Sequence, residues 1–389
     1  MRVVLTGDFP NDGQVIKGGV QAAFAYLAEA LSRVPGMDLH VITRHKEQSR
    51  TPGENWIGRI HVHYLPVSPR YELARDFKNY RRSFNSKLSE IKPDVVHAHD
   101  ATDYGYAAVR CGYPAVVTVH GIRREDCRYY GRLRLRARNY LHSWLIERYI
   151  MRHARFLIAI SRYVTDYFGR SLRSDVEVHY IHNAIDQRFF ERRGERQTCP
   201  VVLYAGRVIP RKKIEDLVGA FAQVAPLVPE SRLRIAGEMD SEPDYAASIR
   251  RLAAVSGLSD RIDFLGQLTE ARVLEEFRSC SVLGLASAQE TAPMVIAQAQ
   301  AASIPVVATS VGGVPEMIED GKTGFLVPVG NKEILADRLQ QVLNQPTLAD
   351  GIGRTAHRFA RENYSADSIA DRTAGVYRRV SQMKRSYAA

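Results

Sequence analysis

The chain of 389 residues has four cysteines, Cys111, Cys127, Cys199 and Cys280, and no two of them form a C-x-x-C pair. That scatter argues against a zinc ribbon or a dithiol redox centre and reads as free thiols. No apolar run approaches the ~18 residues that a membrane span needs. The opening MRVVLTGDFP enters a strand at once, without the apolar core and cleavage site of a secretory signal, so the chain is expected to stay in the cytoplasm. Low-complexity tracts and repeats of solenoid period are also lacking. What is there is 45% apolar and 25% charged, enough to bury a sizeable core in two domains of ordinary size.

Acidic residues are the scarcer charge, and the formal net charge is +11. Most of the excess sits in one segment. Gly121 to Arg173 carries thirteen Arg, no Lys and only four acids, Glu125, Asp126, Glu147 and Asp166. A basic surface of this kind attracts nucleic acid, an anionic bilayer or an acidic substrate, or is a solvated face without a partner.

Short β-branched apolar runs recur at 2–6, 39–43, 95–99, 115–119, 156–160 and 178–181, with helical stretches between most of them. A second series follows at 201–206, 233–237, 262–266, 282–286 and 306–309. The alternation predicts an α/β chain of two Rossmann-like domains with parallel, doubly wound sheets. The expected domains are 1–186 and 187–368, with a C-terminal helix over 369–389 crossing back to the first. The polar stretch DQRFFERRGERQTCP (186–200), closed by a proline, suits the connection between them.

Open α/β sheets bind ligands beyond the carboxyl ends of their strands, so the loops there carry the functional reading. Gly18 and Gly19 stand at the mouth of the first helix, where backbone N–H groups can approach a phosphate, or where a plain turn needs them. In YAGRVIPRKK, Arg207 follows a strand and Lys212 precedes a helix led by acids. Two cations at a strand end can neutralise a diphosphate, or can be a solvated basic loop. His120 ends the strand AVVTV, as a cleft residue or a structural one.

At this point KGGVQ, TVHG, HNAID, GRVIPRKK, QETAPMVIAQAQAAS and SVGGVPEMIEDGKTGFLV stand in order along nearly the whole chain. Together they resemble the retaining nucleotide-sugar glycosyltransferases of family 4, whose GT-B fold sets two Rossmann-like domains facing across a cleft. The resemblance implies that Arg207 and Lys212 clamp the donor diphosphate, with Gly18 and Gly19 approaching it from the first domain. It implies that Glu290, the first acid of an E-x7-E pattern, accepts hydroxyls of the donor sugar. Backbone N–H groups of Thr291, Ala292, Pro293 and Met294 would bind sugar or phosphate, and Gln298 stands where a second Glu holds the ribose. His120 would orient the donor near the reacting carbon. The set assigned to catalysis is thus His120, Arg207, Lys212 and Glu290, with no metal and no cofactor. UDP is slightly favoured over GDP and TDP as the nucleotide.

Three positions depart from the family pattern: Lys213 and Ala184 where glycine is common, and Gln298 for Glu. Glu290 and Gln298, read as two residues of one helix, are eight apart and span about 12 Å along its axis, enough to reach both the sugar and ribose ends of one donor.

The acceptor is expected to meet the first domain. In RREDCRYYGRLRLRARNYLHSWLIERYIMRHAR (123–155), Tyr129, Tyr130, Tyr140, Trp144 and Tyr149 are interleaved with arginines. That mixture suits a lipid-linked acceptor at an anionic membrane surface, with peripheral attachment to its inner face. Nucleic acid is not the expected partner, although rings among arginines would also suit a single strand. Leu141, Trp144, Leu145 and Ile150 could equally form the buried face of an ordinary helix. The functional alternatives are a GT-B phosphorylase, a nucleotide-sugar epimerase, or a basic nucleic-acid-binding protein without chemistry.

Overall fold

The computed structural model describes residues 1–10, 16, 18–44, 53–66, 76–129, 133–191 and 199–387. The chain divides into two compact units. The first comprises Met1–Gln14, Val20–Ala184 and Ala366–Ala389, and the second Val15–Gly19 and Ile185–Ser365. Tyr130 and residues 192–198, on which parts of the sequence reading rest, lie outside the described residues.

The first unit is built on eight strands: β1 (Arg2–Thr6), β2 (Asp38–Arg44), β3 (Glu54–Ile57), β4 (Ile60–Leu65), β5 (Val95–His99), β6 (Ala115–Val119), β7 (Phe156–Ala159) and β8 (Glu177–Tyr180). Their order in the sheet is β3-β4-β2-β1-β5-β6-β7-β8. All pairings are parallel except β3 with β4. Val3, Val4, Leu5, Val95, Val96, Val116 and Val117 are fully buried. A strand buried on both faces reads as a continuous apolar run, which is why these strands were legible. The β3–β4 hairpin was not expected. Its second strand, β4, opens with alternating apolar and polar residues after a turn at Gly58, whose φ of 56° favours glycine.

The second unit has six parallel strands: β9 (Val201–Ala205), β10 (Arg232–Ala236), β11 (Ile262–Gly266), β12 (Val282–Leu285), β13 (Val306–Thr309) and β14 (Phe325–Val327). They are ordered β11-β10-β9-β12-β13-β14. The three-residue β14 is too short to leave a periodic signal and was also missed.

Both sheets are doubly wound, and each has one place where the strand order reverses: at β1, between β2 and β5, and at β9, between β10 and β12. Loops leaving adjacent strands at such a point diverge and leave a crevice for a ligand. The helix Ala366–Tyr387 belongs to the first unit, held by a 2.6 Å bond between buried Tyr377 and Nδ1 of His97 on β5. Among the described residues no helix is long and apolar enough to cross a membrane.

Candidate functional site

The switch point of the second sheet brings together Lys212 and Glu290. Lys212 ends a 3-10 turn, Pro210–Lys212, in the loop leaving β9, while Glu290 lies in the loop leaving the neighbouring β12. Proline at the start of the turn fixes its φ, and Lys213, in the left-handed conformation at φ 50°, ends it ahead of the helix Ile214–Val224. Backbone glycines keep the strand ends open: a Cβ on Gly237 would stand 1.8 Å from the Gly206 carbonyl oxygen, and both glycines hold positive φ.

The Glu290 carboxylate is 4% exposed and fully engaged. Oε1 takes an ion pair from Lys212 Nζ and a 2.6 Å hydrogen bond from the Ser287 hydroxyl. Oε2 lies 3.3 Å from Arg211, whose guanidinium also donates to the Gln289 carbonyl at 2.5 Å. Burial would push the carboxyl up, but the charges of Lys212 and Arg211 outweigh it and hold it down at about 2. It is therefore a carboxylate at any physiological pH. Its own carbonyl accepts from Gly313 at 3.2 Å, which ties the SVGGVP loop to the site.

Arg207 is exposed, and its side chain makes no hydrogen bond or ion pair among the described residues. Its carbonyl is held by the hydroxyl of buried Tyr204 at 2.8 Å, which fixes the turn that carries it. The loop leaving β9 thus carries three cations, Arg207, Arg211 and Lys212, of which the last two pair with Glu290 and the first is exposed.

The helix behind Glu290 spans only Met294–Ala301. Glu290 therefore precedes it by four residues, and the expectation of a single helix with a 12 Å rise between Glu290 and Gln298 is wrong. Pro293 caps the helix in extended geometry and cannot continue it backward. Proline also has no N–H, so Pro293 drops out of the expected backbone donors and Thr291, Ala292 and Met294 remain. Gln298 is inside the helix, 7% exposed, and its amide makes no hydrogen bond among the described residues. Gly18 and Gly19 are exposed and group with the second unit, where a Cβ on Gly19 would come within 3.2 Å of Met294 Cγ.

His120 belongs to the first unit, at the end of β6. It is buried, with Nδ1 3.0 Å from the Asn183 side-chain oxygen and Nε2 3.0 Å from Nδ1 of His99. The Asn183 oxygen can only accept, so His120 carries its proton on Nδ1 and accepts from His99 at Nε2. Burial pushes His120 below the ordinary imidazole range and His99 well below it. Both ring nitrogens of His120 are thus occupied by protein. The acids of HDATD serve the fold: Asp103 pairs with Arg44, whose guanidinium lies over the rings of Tyr80 and Tyr104 at 4.8 and 4.5 Å.

Sequence reasoning missed Arg211, Ser287, His99 and Asn183. Arg211 was in view, beside Lys212 in PRKK, but nothing in spacing separates a turn residue facing Glu290 from one facing solvent.

The arginine-rich helix Leu133–His153 buries Ser143, Ile146, Glu147, Ile150 and Met151, a stripe at helical spacing. Leu141 and Leu145 are 55% and 43% exposed, so of the apolar face offered by the sequence only Ile150 is buried. Leu133, Leu135 and Tyr140 are also exposed, among exposed Arg134, Arg138, Arg148 and Arg152.

Two family descriptions match consecutive parts of the chain: Glycosyltransferase Family 4 over residues 17–189 and Glycosyl transferases group 1 over residues 186–363. The alpha-D-kanosaminyltransferase of Streptomyces kanamyceticus is 27% identical over 326 residues, covering 79% of this chain and 81% of that protein. Sucrose-phosphate synthase of Thermosynechococcus elongatus superposes with a TM-score of 0.84 at 22% identity, covering 97% of this chain and 98% of its own. Anabaena HepE, solved in complex with UDP and glucose, superposes at 0.75 with 18% identity, covering 97% and 99%. These matches define a two-domain α/β glycosyltransferase with parallel sheets. The chain belongs to the family 4 glycosyltransferases of the GT-B fold.

Proposed function

We propose that the chain is a retaining, metal-independent glycosyltransferase, with 187–368 holding a nucleotide diphosphate sugar and 1–186 meeting the acceptor. The observation that carries this reading is the pairing of Arg211 and Lys212 with ionised Glu290 at the switch point of the second sheet, with Arg207 exposed on the same loop leaving β9. UDP is the favoured nucleotide, supported by its presence in HepE, and the sugar is of hexose type.

In this reading Arg207 and Lys212 take the donor diphosphate, with Gly18, Gly19 and the N–H groups of Thr291, Ala292 and Met294 near it. Glu290 accepts sugar hydroxyls, and Gln298 faces the ribose. The acceptor oxygen forms its bond to the anomeric carbon on the face from which the phosphate oxygen departs. Its proton passes to that departing oxygen. Charge grows on the diphosphate during this step, where fixed cations stabilise it most. His120 contributes a neutral ring of fixed tautomer, and to bond the donor directly it must exchange Asn183 or His99. The acceptor is a lipid-linked glycan or polysaccharide precursor at the inner face of an anionic membrane, a reading supported by the exposed leucines and arginines of the helix Leu133–His153.

The test is to incubate the protein with UDP-, GDP- and TDP-sugars, with and without lipid-linked acceptors in anionic vesicles, and follow release of nucleotide. Acceptor-dependent release that survives a chelator, with an α-configured product from an α-linked donor, is the expected outcome. An inverted product, or activity abolished by chelator and restored by manganese, would refute it.

A further inference from the structure

Two neighbouring strands near the edge of the first sheet, β2 and β4, place three histidines on one face. In the parallel pairing of β2 and β4, His40 stands opposite His61, and His63 follows two residues later on the same side. The antiparallel pairing of β3 with β4 sets Trp56 against His61 and Glu54 against His63. One nitrogen from each of His40, His61 and His63 lies within 4.8 Å of the others. Nδ1 of His40 and Nε2 of His63 are only 2.9 Å apart. None of these residues has a part in the transfer proposed above.

The second nitrogens are oriented by carboxylates. Glu54 accepts from His63 Nδ1 and from His61 Nε2, each at 3.0 Å, and Asp38 lies 3.4 Å from His40 Nε2. A carboxylate on the far nitrogen of a histidine fixes the tautomer that turns the other nitrogen's lone pair toward a metal. His63 already has that tautomer. His40 reaches it by moving its proton from Nδ1 to Nε2, toward Asp38. The site is accessible, since the side chains of His40 and His61 are 12% and 19% exposed, and Trp56, stacked on His61 at 4.4 Å, is itself 60% exposed.

We propose that His40, His61 and His63 bind one divalent ion of the zinc type, with water completing a tetrahedral shell, and that the ion pins β3 and β4 to β2. Zinc–imidazole bonds of about 2.0–2.1 Å put ligand nitrogens roughly 3.3 Å apart. The His40–His63 pair therefore opens slightly, and the widest pair closes by about 1.5 Å. Lys87 already pairs with Glu54 and Arg2 with Asp38, so the dication enters a site whose acids are neutralised. Affinity in the micromolar range is expected, weaker than that of thiolate zinc sites.

The experiment uses untagged, chelator-treated full-length protein titrated with zinc chloride by calorimetry, and with Co2+ followed by its visible absorption. Expected are one ion per chain, the absorption of a four-coordinate cobalt site and a higher melting temperature with zinc. His61→Ala should weaken zinc binding at least ten-fold and abolish the cobalt spectrum, and Glu54→Gln should weaken binding about ten-fold. Melting of each variant without metal reports its folding, and His40→Gln replaces any variant that does not fold. Absence of saturable binding at one ion per chain overturns the proposal. So does a folded triad variant that binds zinc as the wild type does, which would place the ion elsewhere.

Discussion

Each unit holds a buried glutamate with a strongly shifted carboxyl, Glu147 in the first and Glu290 in the second, and the two behave in opposite ways. Glu147, on the helix Leu133–His153, is fully buried with one charged partner, Arg124, at 2.6 Å to Oε2, and Oε1 is left without a hydrogen bond. Burial dominates there and pushes the carboxyl up to about 7, Arg124 offsetting only part of it. Glu290 is buried to a similar degree, yet two cations and a hydroxyl hold it at about 2. The number of charge partners, not depth, decides whether a buried acid stays ionised. Glu290 is kept charged by its surroundings and sits at the switch point of its sheet; Glu147 ties its helix to the short helix Arg123–Asp126. A sharply perturbed carboxyl is thus a guide to function only together with its position in the sheet.

Removing the partners of Glu290 is the strongest way to break the comparison. Lys212→Ala deletes a cation proposed to meet the diphosphate and leaves Glu290 with Arg211 as its one cation and the Ser287 hydroxyl, so its pKa rises. We expect kcat/KM to fall about a hundred-fold, ~2.7 kcal/mol of transition-state stabilisation. Arg207→Ala removes an exposed cation without disturbing Glu290, and at least a ten-fold loss is expected, about 1.4 kcal/mol. Steady-state kinetics on the donor identified by nucleotide release decides. Near-native rates in both variants would end the assignment of the donor site.

The buried parallel strands and the order of the motifs were legible because both depend on local residue type. What was not legible depends on residues distant in sequence. Arg211 and Glu290 are 79 positions apart and meet only because β9 and β12 are neighbours. His40 and His61 are joined by the pairing of β2 with β4, a register no single window reveals. The helix ruler failed for a local reason: Glu290 was read as sharing one helix with Gln298, whereas Pro293 ends an irregular loop that places Glu290 against Lys212 and Arg211.

Glu147 offers a second, smaller break. Its folded pKa of about 7 lies above the ordinary carboxylate value, so its contribution to stability is complete at low pH and is lost as pH rises through 7. His97, held down to about 3 by burial, acts oppositely, its contribution being lost as pH falls below the ordinary imidazole value. The difference between wild type and Glu147→Gln isolates the glutamate. We expect denaturant unfolding to show wild-type stability declining relative to Glu147→Gln by about 2 kcal/mol between pH 5 and pH 8. Glu290, ionised throughout that window, adds no slope. Parallel profiles for the two proteins would mean that Glu147 is ionised in the fold at neutral pH, as Glu290 is.

The smallest effect, and the sharpest for the second unit, concerns Gln298. If it faces the ribose, Gln298→Glu supplies a carboxylate that accepts from both the 2′ and 3′ hydroxyls, where the amide offers one oxygen. Charged hydrogen bonds exceed neutral ones by roughly 1 kcal/mol, so UDP should bind about five-fold tighter. Position 298 is buried in an apolar helix, and the new carboxyl lacks the cations that hold Glu290 down, so its pKa should be raised. The gain therefore belongs to the ionised form, and should be larger at pH 8 than at pH 6. A 2′-deoxyribose nucleotide should lose most of it, since one of the two hydroxyl donors is missing. Calorimetry with UDP, GDP and TDP at both pH values measures each of these differences. Unchanged affinity for every nucleotide at pH 8 would show that residue 298 does not touch the ribose, leaving Glu290 the only member of the E-x7-E pattern with a role in binding.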